Sequence, residues 1–394
     1  MAGRATQAPT LLCNARVFDG ERLRDDVAVR LEHGRIAAVG IADSDATFGE
    51  GVDLDGGLLV PGFVDVQVNG GGGALFNASP DVDTIRRIAA AHRRFGTTTL
   101  LPTLISDDWA VMQKAAAAVT QALQAGTPGV RGIHFEGPYL NAERRGAHSA
   151  TAIRPVDGAA QALLANRQMG CVVVTLAPEQ VPADFIRALT AAGVRVCAGH
   201  STASFDEVRA AIAAGLCGFT HLFNAMPPLA GRTPGVLGAA LDDAGTWCGV
   251  IADGHHVHWA NLRLAVHSKP PGRVMLVTDA MPSVGAADKR FKLGGETVTV
   301  ADGVCRTADG TIAGSDLDMA TAVRNAVGEL GVGLEEALRM ASLYPAAFLG
   351  LDDRIGRIAP GYAADLALLD DDLIVRATWI AGAREDADAD AGVA

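Results

Sequence analysis

Glu136 in "HFEGP", His200 in "CAGHS", His221 in "THLFNAMP" and Asp279 in "VTDA" each follow a short apolar run. One carboxylate and two imidazoles form a chemically suitable donor set for a divalent cation. Zinc takes His nitrogen and carboxylate oxygen at about 2.0–2.2 Å, and its catalytic sites keep one position for water. Such an ion lowers the pKa of water and polarises a carbonyl, which is what cleavage of an unreactive amide requires. Asp279 can accept the water proton and pass it to the departing amine, serving as base and then acid. The reaction also needs a donor for the oxygen that becomes negative. "IADGHHVH" offers His255, His256 and His258, and spacing alone does not choose among them. Any one of these residues in isolation is weak evidence, since a lone His at a strand end is more often a hydrogen-bonded structural residue. Their coincidence at successive strand ends is what carries the reading.

The elements that must position them begin at Pro61. "GFVDVQV", "TTTLLPT", "VRGIHFE", "CVVVTLA", "VRVCAGH", "CGFTHLF", "CGVIADG" and "VMLVTDA" read as strands. Between them lie Ala-rich helical segments such as "VDTIRRIAAAHRRFG", "WAVMQKAAAAVTQALQAG" and "SFDEVRAAIAAG", each closing at a glycine. Alternation of this kind implies a parallel sheet with right-handed crossovers. Eight strands over residues 61–350 match an α/β fold of the (β/α)8 TIM-barrel type, whose typical size is about 250 residues. Barrel active sites sit at the C-terminal ends of the strands, so the polar strand ends would share one rim. An open doubly wound sheet ranks lower, because no glycine-rich nucleotide fingerprint opens the first unit. Residues 1–60 and 351–394 read as a small β-sandwich domain assembled from both chain ends. A hairpin is expected around Phe291–Ile312, with helices near Met319–Leu330 and Leu334–Leu349. The acidic "AREDADADAGVA" reads as a frayed tail.

With those elements in place, the chain resembles the N-acetylglucosamine-6-phosphate deacetylases of the amidohydrolase superfamily. The matching stretches are "PGFVDVQVNG", "HFEGPYLN", "RRGAH", "VTLAPE", "AGHST", "THLFNAMPPLAGRTPG", "IADGHHV", "VTDA" and "LYPAAFLG", in family order. The resemblance implies that Glu136, His200 and His221 hold one divalent metal ion per subunit, zinc first, with iron, manganese or cobalt as alternatives. It implies Asp279 as acid/base and His256 as the substrate contact that polarises the acetyl carbonyl. It places Asn224, Ala225 and Arg232 on the sugar phosphate, with Arg232 reaching in from the other subunit of a homodimer. Ala147, His148, Ile312, Ala313 and Gly314 would line the sugar pocket. Arg232 suits phosphate, because a guanidinium fork holds its oxygens by charge-assisted bonds. Arg144 and Arg145 read as surface charge first, with an addition to the phosphate field as the alternative. Where many superfamily members carry H-x-H after the first strand, this chain has Gln67 and Asn69, which are weak ligands, and a single metal follows.

The totals fit that reading. Of 394 residues, 49% are hydrophobic and 20% charged, which is ordinary for a globular enzyme. A net charge of −12 without any basic stretch argues against nucleic acid, while a locally positive pocket can still take an anionic sugar. No run approaches the roughly 18 apolar residues of a membrane span, and the first residues lack the apolar core of a signal peptide. The six cysteines, Cys13, Cys171, Cys197, Cys217, Cys248 and Cys305, are scattered and read as reduced thiols of a cytoplasmic protein. The alternatives are another amidohydrolase, acting on a different N-acetyl sugar or a cyclic amide, and a silent barrel used for binding. Asp279 argues against the silent barrel.

Overall fold

The alternating apolar and Ala-rich segments close into a barrel in the computed structural model, which describes residues 9–25, 27–41 and 51–387. Its eight strands run in sequence order around one parallel sheet. They are β1 (Phe63–Val68), β2 (Thr97–Ile105), β3 (Gly132–Glu136), β4 (Cys171–Leu176), β5 (Arg195–Ala198), β6 (Gly218–Phe219), β7 (Trp247–Val250) and β8 (Val274–Leu276). Each strand is buried on both faces along most of its length, as expected where helices cover a parallel sheet. The helix starts are chemically marked. Asp81 accepts the Thr84 N–H to open the helix Val82–Arg93, and Ser204 with Glu207 forms a capping box before Phe205–Ala213.

Closure between β8 and β1 comes from the chain just beyond β8. Asp279 N–H donates to the Gln67 carbonyl, and Asn69 and Gly70 N–H both donate to Ala280. Beneath them the fully buried Asp65 carboxylate accepts from the Thr278 hydroxyl at 2.5 Å and from Gln67 N–H at 3.1 Å.

Both chain ends form the small β-sandwich. Arg35–Ile41, Val27–Glu32, Thr10–Cys13 and Val52–Asp53 make one sheet. Leu23–Arg24, Arg16–Phe18, Leu58–Pro61, Leu366–Leu369, Val375–Ile380 and Ala383–Asp386 make the other. The two-residue period of a strand lets this second sheet serve two cores. Leu59, Leu366 and Leu368 pack with Leu12, Val29 and Trp379 inside the sandwich. Leu58, Val60, Ala367 and Leu369 join the barrel core on the opposite face.

Several expectations are corrected. The segment "CGFTHLF" contributes only Gly218–Phe219 to the barrel, because His221 (φ 31°), Phe223 (φ 79°) and Ala225 (φ 52°) turn left-handed and leave the strand path. The expected hairpin is a four-stranded antiparallel sheet over Arg290–Leu293, Glu296–Ala301, Val304–Arg306 and Ile312–Ser315. Met319–Asn325 continues as a π-helical turn through Leu330. The helix expected over Leu334–Leu349 breaks at Ser342, whose hydroxyl donates to the Leu338 carbonyl and frees Pro345 to sit in the first turn of a new helix. Ala383–Asp386 is an edge strand paired with Val375–Ile380 rather than a frayed end; residues 388–394 of the expected tail lie outside the described residues.

Burial pushes the Asp65 carboxyl up from 3.8 to about 7, against the bonds from Thr278 and Gln67 that favour its charge. A folded pKa above the unfolded one means that the folded state binds more protons between those values. Stability is therefore lost as pH rises from about 4 to about 7 and is then level. Asp65→Asn should flatten that slope in denaturant melts taken across this range. An unchanged slope would remove Asp65 as its source.

Candidate active site

At the C-terminal rim of the strands a cavity of about 350 Å³ opens. It brings together Glu136, His148, His200, His221, Asn224, Ala225, His256 and Asp279, with Ala147 and Ile312–Gly314 on its wall. Glu136 ends β3, and His200 follows β5 on a loop whose His200 carbonyl accepts at 2.9 Å from the N–H of Asn141, on the loop after β3. His200 (φ 50°), His221 (φ 31°), Ala225 (φ 52°) and Asp279 (φ 52°) all hold left-handed backbone, which is uncommon for non-glycine residues and clusters at functional sites.

Three potential ligand atoms converge. Glu136 Oε1 lies 3.0 Å from His200 Nε2 and 2.9 Å from His221 Nε2, and the two Nε2 atoms are 3.0 Å apart. His200 Nδ1 donates to the Arg144 carbonyl at 2.8 Å, so in the neutral ring Nε2 carries the lone pair. A lone pair facing a carboxylate oxygen at this distance calls for a cation between them. The donor set therefore fits a divalent metal ion by its chemistry. Burial would raise the Glu136 carboxyl, but the bonds to His200 and His221 outweigh it and hold it well below the usual range. His221 is raised overall, since Glu136 overcomes the effect of burial.

His148 offers a competing third ligand with Glu136 and His200, its Nε2 standing 3.9 Å from Glu136 Oε1. Its other ring nitrogen decides the matter. Nδ1 accepts the Ser106 backbone N–H at 3.2 Å, so the neutral ring keeps its proton on Nε2. Burial, with His200 nearby, lowers its pKa to about 3 and keeps it neutral. His148 thus presents an N–H to the cavity, a donor rather than a ligand. His256 differs again. Its Nδ1 stands 2.6 Å from Asp253 Oδ2. Burial would raise Asp253, but the His256 contacts outweigh it and keep the carboxylate charged, so His256 Nδ1 donates to it and the other edge of the ring is left to the cavity.

Asp279 faces this group from the barrel seam. Its Oδ1 accepts from Asn69 Nδ2 at 2.6 Å and from Gln67 Nε2 at 3.1 Å; Gln67 Nε2 also donates to Glu136 Oε2 at 3.2 Å. Burial first, then the Glu136 charge, raises the Asp279 carboxyl to about 6, against His221, His256 and Asn69.

Of the residues given a metal, catalytic or substrate role from the sequence, Arg232 stays out of the cavity and is exposed on the loop after Met226. His258 caps the helix Trp259–Ser268, its Nδ1 accepting the Ala260 N–H, and His255 borders a neighbouring groove. Sequence reasoning missed others. Arg144, read first as surface charge with the phosphate field as the alternative, lines the cavity, and its carbonyl, which no local pattern marks, orients His200. Asn69, Ile105, Met281 and Leu293 line it too. Glu179, after β4, accepts from Ser201 Oγ at 2.6 Å, Thr202 N–H at 2.7 Å and Asn141 Nδ2 at 3.0 Å, tying the His200 loop to the loop after β3. The "VTLAPE" stretch was the available signal for it.

The profile of the amidohydrolase family matches residues 58–386. An N-acetylgalactosamine-6-phosphate deacetylase of Shewanella sp. (strain ANA-3) is 45% identical over 84% of this chain and 83% of its own length. An N-acetylglucosamine-6-phosphate deacetylase of Bos taurus is 40% identical over 96% of each. The crystal structure of N-acetylglucosamine-6-phosphate deacetylase from Pasteurella multocida superposes with a TM-score of 0.93 at 34% identity, covering 96% of this chain and 100% of that one.

Partners that orient metal-binding residues commonly hold 10- to 100-fold of metal affinity. Glu179→Ala is expected to weaken metal retention by about 10-fold, read by competition with a chelator on the metal-loaded protein. Retention equal to wild type would show that the His200 loop keeps its shape without Glu179.

Proposed function

The chain belongs to the amidohydrolase family, and from that premise we propose that it hydrolyses the acetamide of N-acetyl-D-glucosamine 6-phosphate to D-glucosamine 6-phosphate and acetate. The observation that carries this reading is the convergence of Glu136, His200 and His221 within 3.0 Å of one another, across the cavity from Asp279. Glu136, His200 and His221 hold one divalent ion per subunit, zinc first, with iron, manganese or cobalt as other occupants. Bound there, the ion supplies a Lewis acid that acidifies water and polarises the acetyl carbonyl.

The chain's own residues do the rest. Asp279 accepts the proton of the attacking water and returns it to the nitrogen as the C–N bond breaks. Two histidines face the oxygen that becomes negative: neutral His148, which donates through Nε2, and His256, which Asp253 orients through Nδ1. Asn224, Ala225, Ala147 and Ile312–Gly314 line the sugar, and Arg144 adds positive charge to the cavity wall. Arg232 is exposed and does not line the cavity of its own chain, which leaves it available to pair with the phosphate in the partner's site of a homodimer. The catalytic barrel is residues 61–350 and the small β unit is 1–60 with 351–394; the sandwich core, from Leu12 to Trp379, draws only on the latter. No helix among the described residues is long and apolar enough to cross a membrane, in keeping with a cytoplasmic enzyme that handles a phosphorylated sugar. Neither nucleic acid nor membrane is a partner in this reading.

A second substrate is favoured by one observation: two relatives, at 45% and 39% identity, are named N-acetylgalactosamine-6-phosphate deacetylases. Acetate release is therefore measured from both 6-phosphates and from unphosphorylated N-acetylglucosamine. Release from N-acetylglucosamine 6-phosphate and not from the free sugar is expected, and release only from N-acetylgalactosamine 6-phosphate would move the assignment to the 4-epimer. Asp279→Asn should lower kcat by a hundredfold to ten-thousandfold, the range of about 10²–10⁴ typical of general acid–base catalysis. Retained turnover would take Asp279 out of the mechanism. Mixing inactive Arg232→Ala and Asp279→Asn proteins should restore part of the activity if sites are shared. No recovery after subunit exchange would leave each subunit with its own phosphate site.

A further inference from the structure

Asn69 stands one residue beyond β1 and is 2% exposed. Its backbone is fixed on both sides, its N–H donating to the Ala280 carbonyl and its own carbonyl accepting from Phe76 N–H, each at 2.9 Å. The side chain has one allowed orientation. Asp279 Oδ1 lies 2.6 Å away and already accepts from Gln67 Nε2, so Asn69 must turn its Nδ2 toward it. That leaves the Asn69 Oδ1 atom buried and without a hydrogen-bond partner among the described residues, on a side chain that lines the catalytic cavity. Buried acceptors without donors are rare in folded proteins. This one is attached, through a single short bond, to the carboxylate that handles the reaction's protons.

We propose that Asn69 is a substrate-binding residue of the reaction, its Oδ1 accepting the N–H of the scissile acetamide while its Nδ2 fixes Asp279. The inference rests on the deacetylase reading above. Among the groups of that substrate, the amide nitrogen is the one Asp279 must also reach, and a donor held there falls beside Asn69. The acceptor does specific work. Water adds to the carbonyl carbon and gives one proton to Asp279, and the nitrogen loses its conjugation with the carbonyl. Its original hydrogen stays on the nitrogen, hydrogen-bonded to Asn69 Oδ1, which turns the new lone pair toward the other Asp279 oxygen. Asp279 returns the proton to that lone pair, the C–N bond breaks with its electrons on nitrogen, and amine and acetic acid leave. Gln67 bridges Glu136 and Asp279 with the same amide chemistry, so the two side chains standing where many relatives carry histidines serve as orienting amides.

The test compares two substrates on one preparation: N-acetylglucosamine 6-phosphate and 2-O-acetylglucose 6-phosphate, the ester in which oxygen replaces the N–H. The ratio of their kcat/KM values does not depend on how much of the protein is active. In Asn69→Ala the amide-to-ester ratio should fall about tenfold, the scale of one hydrogen bond. Asn69→Asp keeps an acceptor oxygen and loses the donor. Its ratio should stay within about threefold of wild type while both rates drop, and this readout stands even if the alanine variant folds poorly. An unmoved ratio in Asn69→Ala, or a collapsed ratio in Asn69→Asp, overturns the inference. Wild type inactive on the amide would overturn the deacetylase reading and this inference together; wild type active with the ratio unmoved overturns this inference alone.

Discussion

The site depends on how the barrel closes. Neighbouring strands from β1 to β8 share ladders, but the seam between β8 and β1 is made by single bonds at the rim. Asp279 N–H reaches Gln67, Ala280 receives Asn69 and Gly70, and Asp279 in turn accepts from Ser315 N–H. Asp279 is thus the point where β1, the chain after β8 and the strand Ile312–Ser315 meet. Its left-handed backbone (φ 52°) would be disfavoured in isolation and is held by those bonds. Closing the barrel and aiming the acid are one event.

A polar interior layer supports the same rim. His134 Nδ1 bonds the Val66 carbonyl at 3.0 Å, its Nε2 meets Thr175 Oγ1 at 2.7 Å, and Thr175 meets Thr220 at 2.6 Å. Four strand segments are tied below the cavity by groups that would be costly to bury unpaired. His134 stands two residues before Glu136 on β3, so this layer also fixes the strand that presents the carboxylate. Asp65 and Thr278 do the same for the seam. Ordinary barrels fill this volume with branched apolar side chains; here directional bonds set the strand ends.

Much of this was legible in the sequence, because strand-helix alternation and polar strand ends are local patterns. The barrel, the two-ended sandwich and the convergence of Glu136, His200, His221 and Asp279 follow from them. What stayed hidden depends on three-dimensional partners. Arg144 reads as surface charge until its carbonyl is seen holding His200. Gln67 and Asn69 read as lost ligands, since nothing local says that both amides meet Asp279. The sheet over Arg290–Ser315 reads as a hairpin, because its outer pairing joins residues separated by a loop of ordinary polarity. The short sixth strand was unreadable for a different reason: the left-handed turns at His221 and Ala225 occur at residue types that rarely adopt them.

The three imidazoles around Glu136 and Asp279 that have a settled second partner show how one side chain becomes three reagents. His200 gives its Nδ1 proton to a peptide carbonyl and so turns a lone pair inward, as a ligand must. His148 takes a peptide N–H at Nδ1 and so turns a proton inward while neutral. His256 holds the Asp253 carboxylate through Nδ1, which fixes the ring and turns its other edge to the cavity. None of these roles is a property of histidine. Each is set by an atom outside the cavity, so the chemistry of the site is decided by the loops that carry Arg144, Ser106 and Asp253. A substitution at any of those positions that shifts its backbone or removes its carboxylate would change what the neighbouring ring can do without touching a ring.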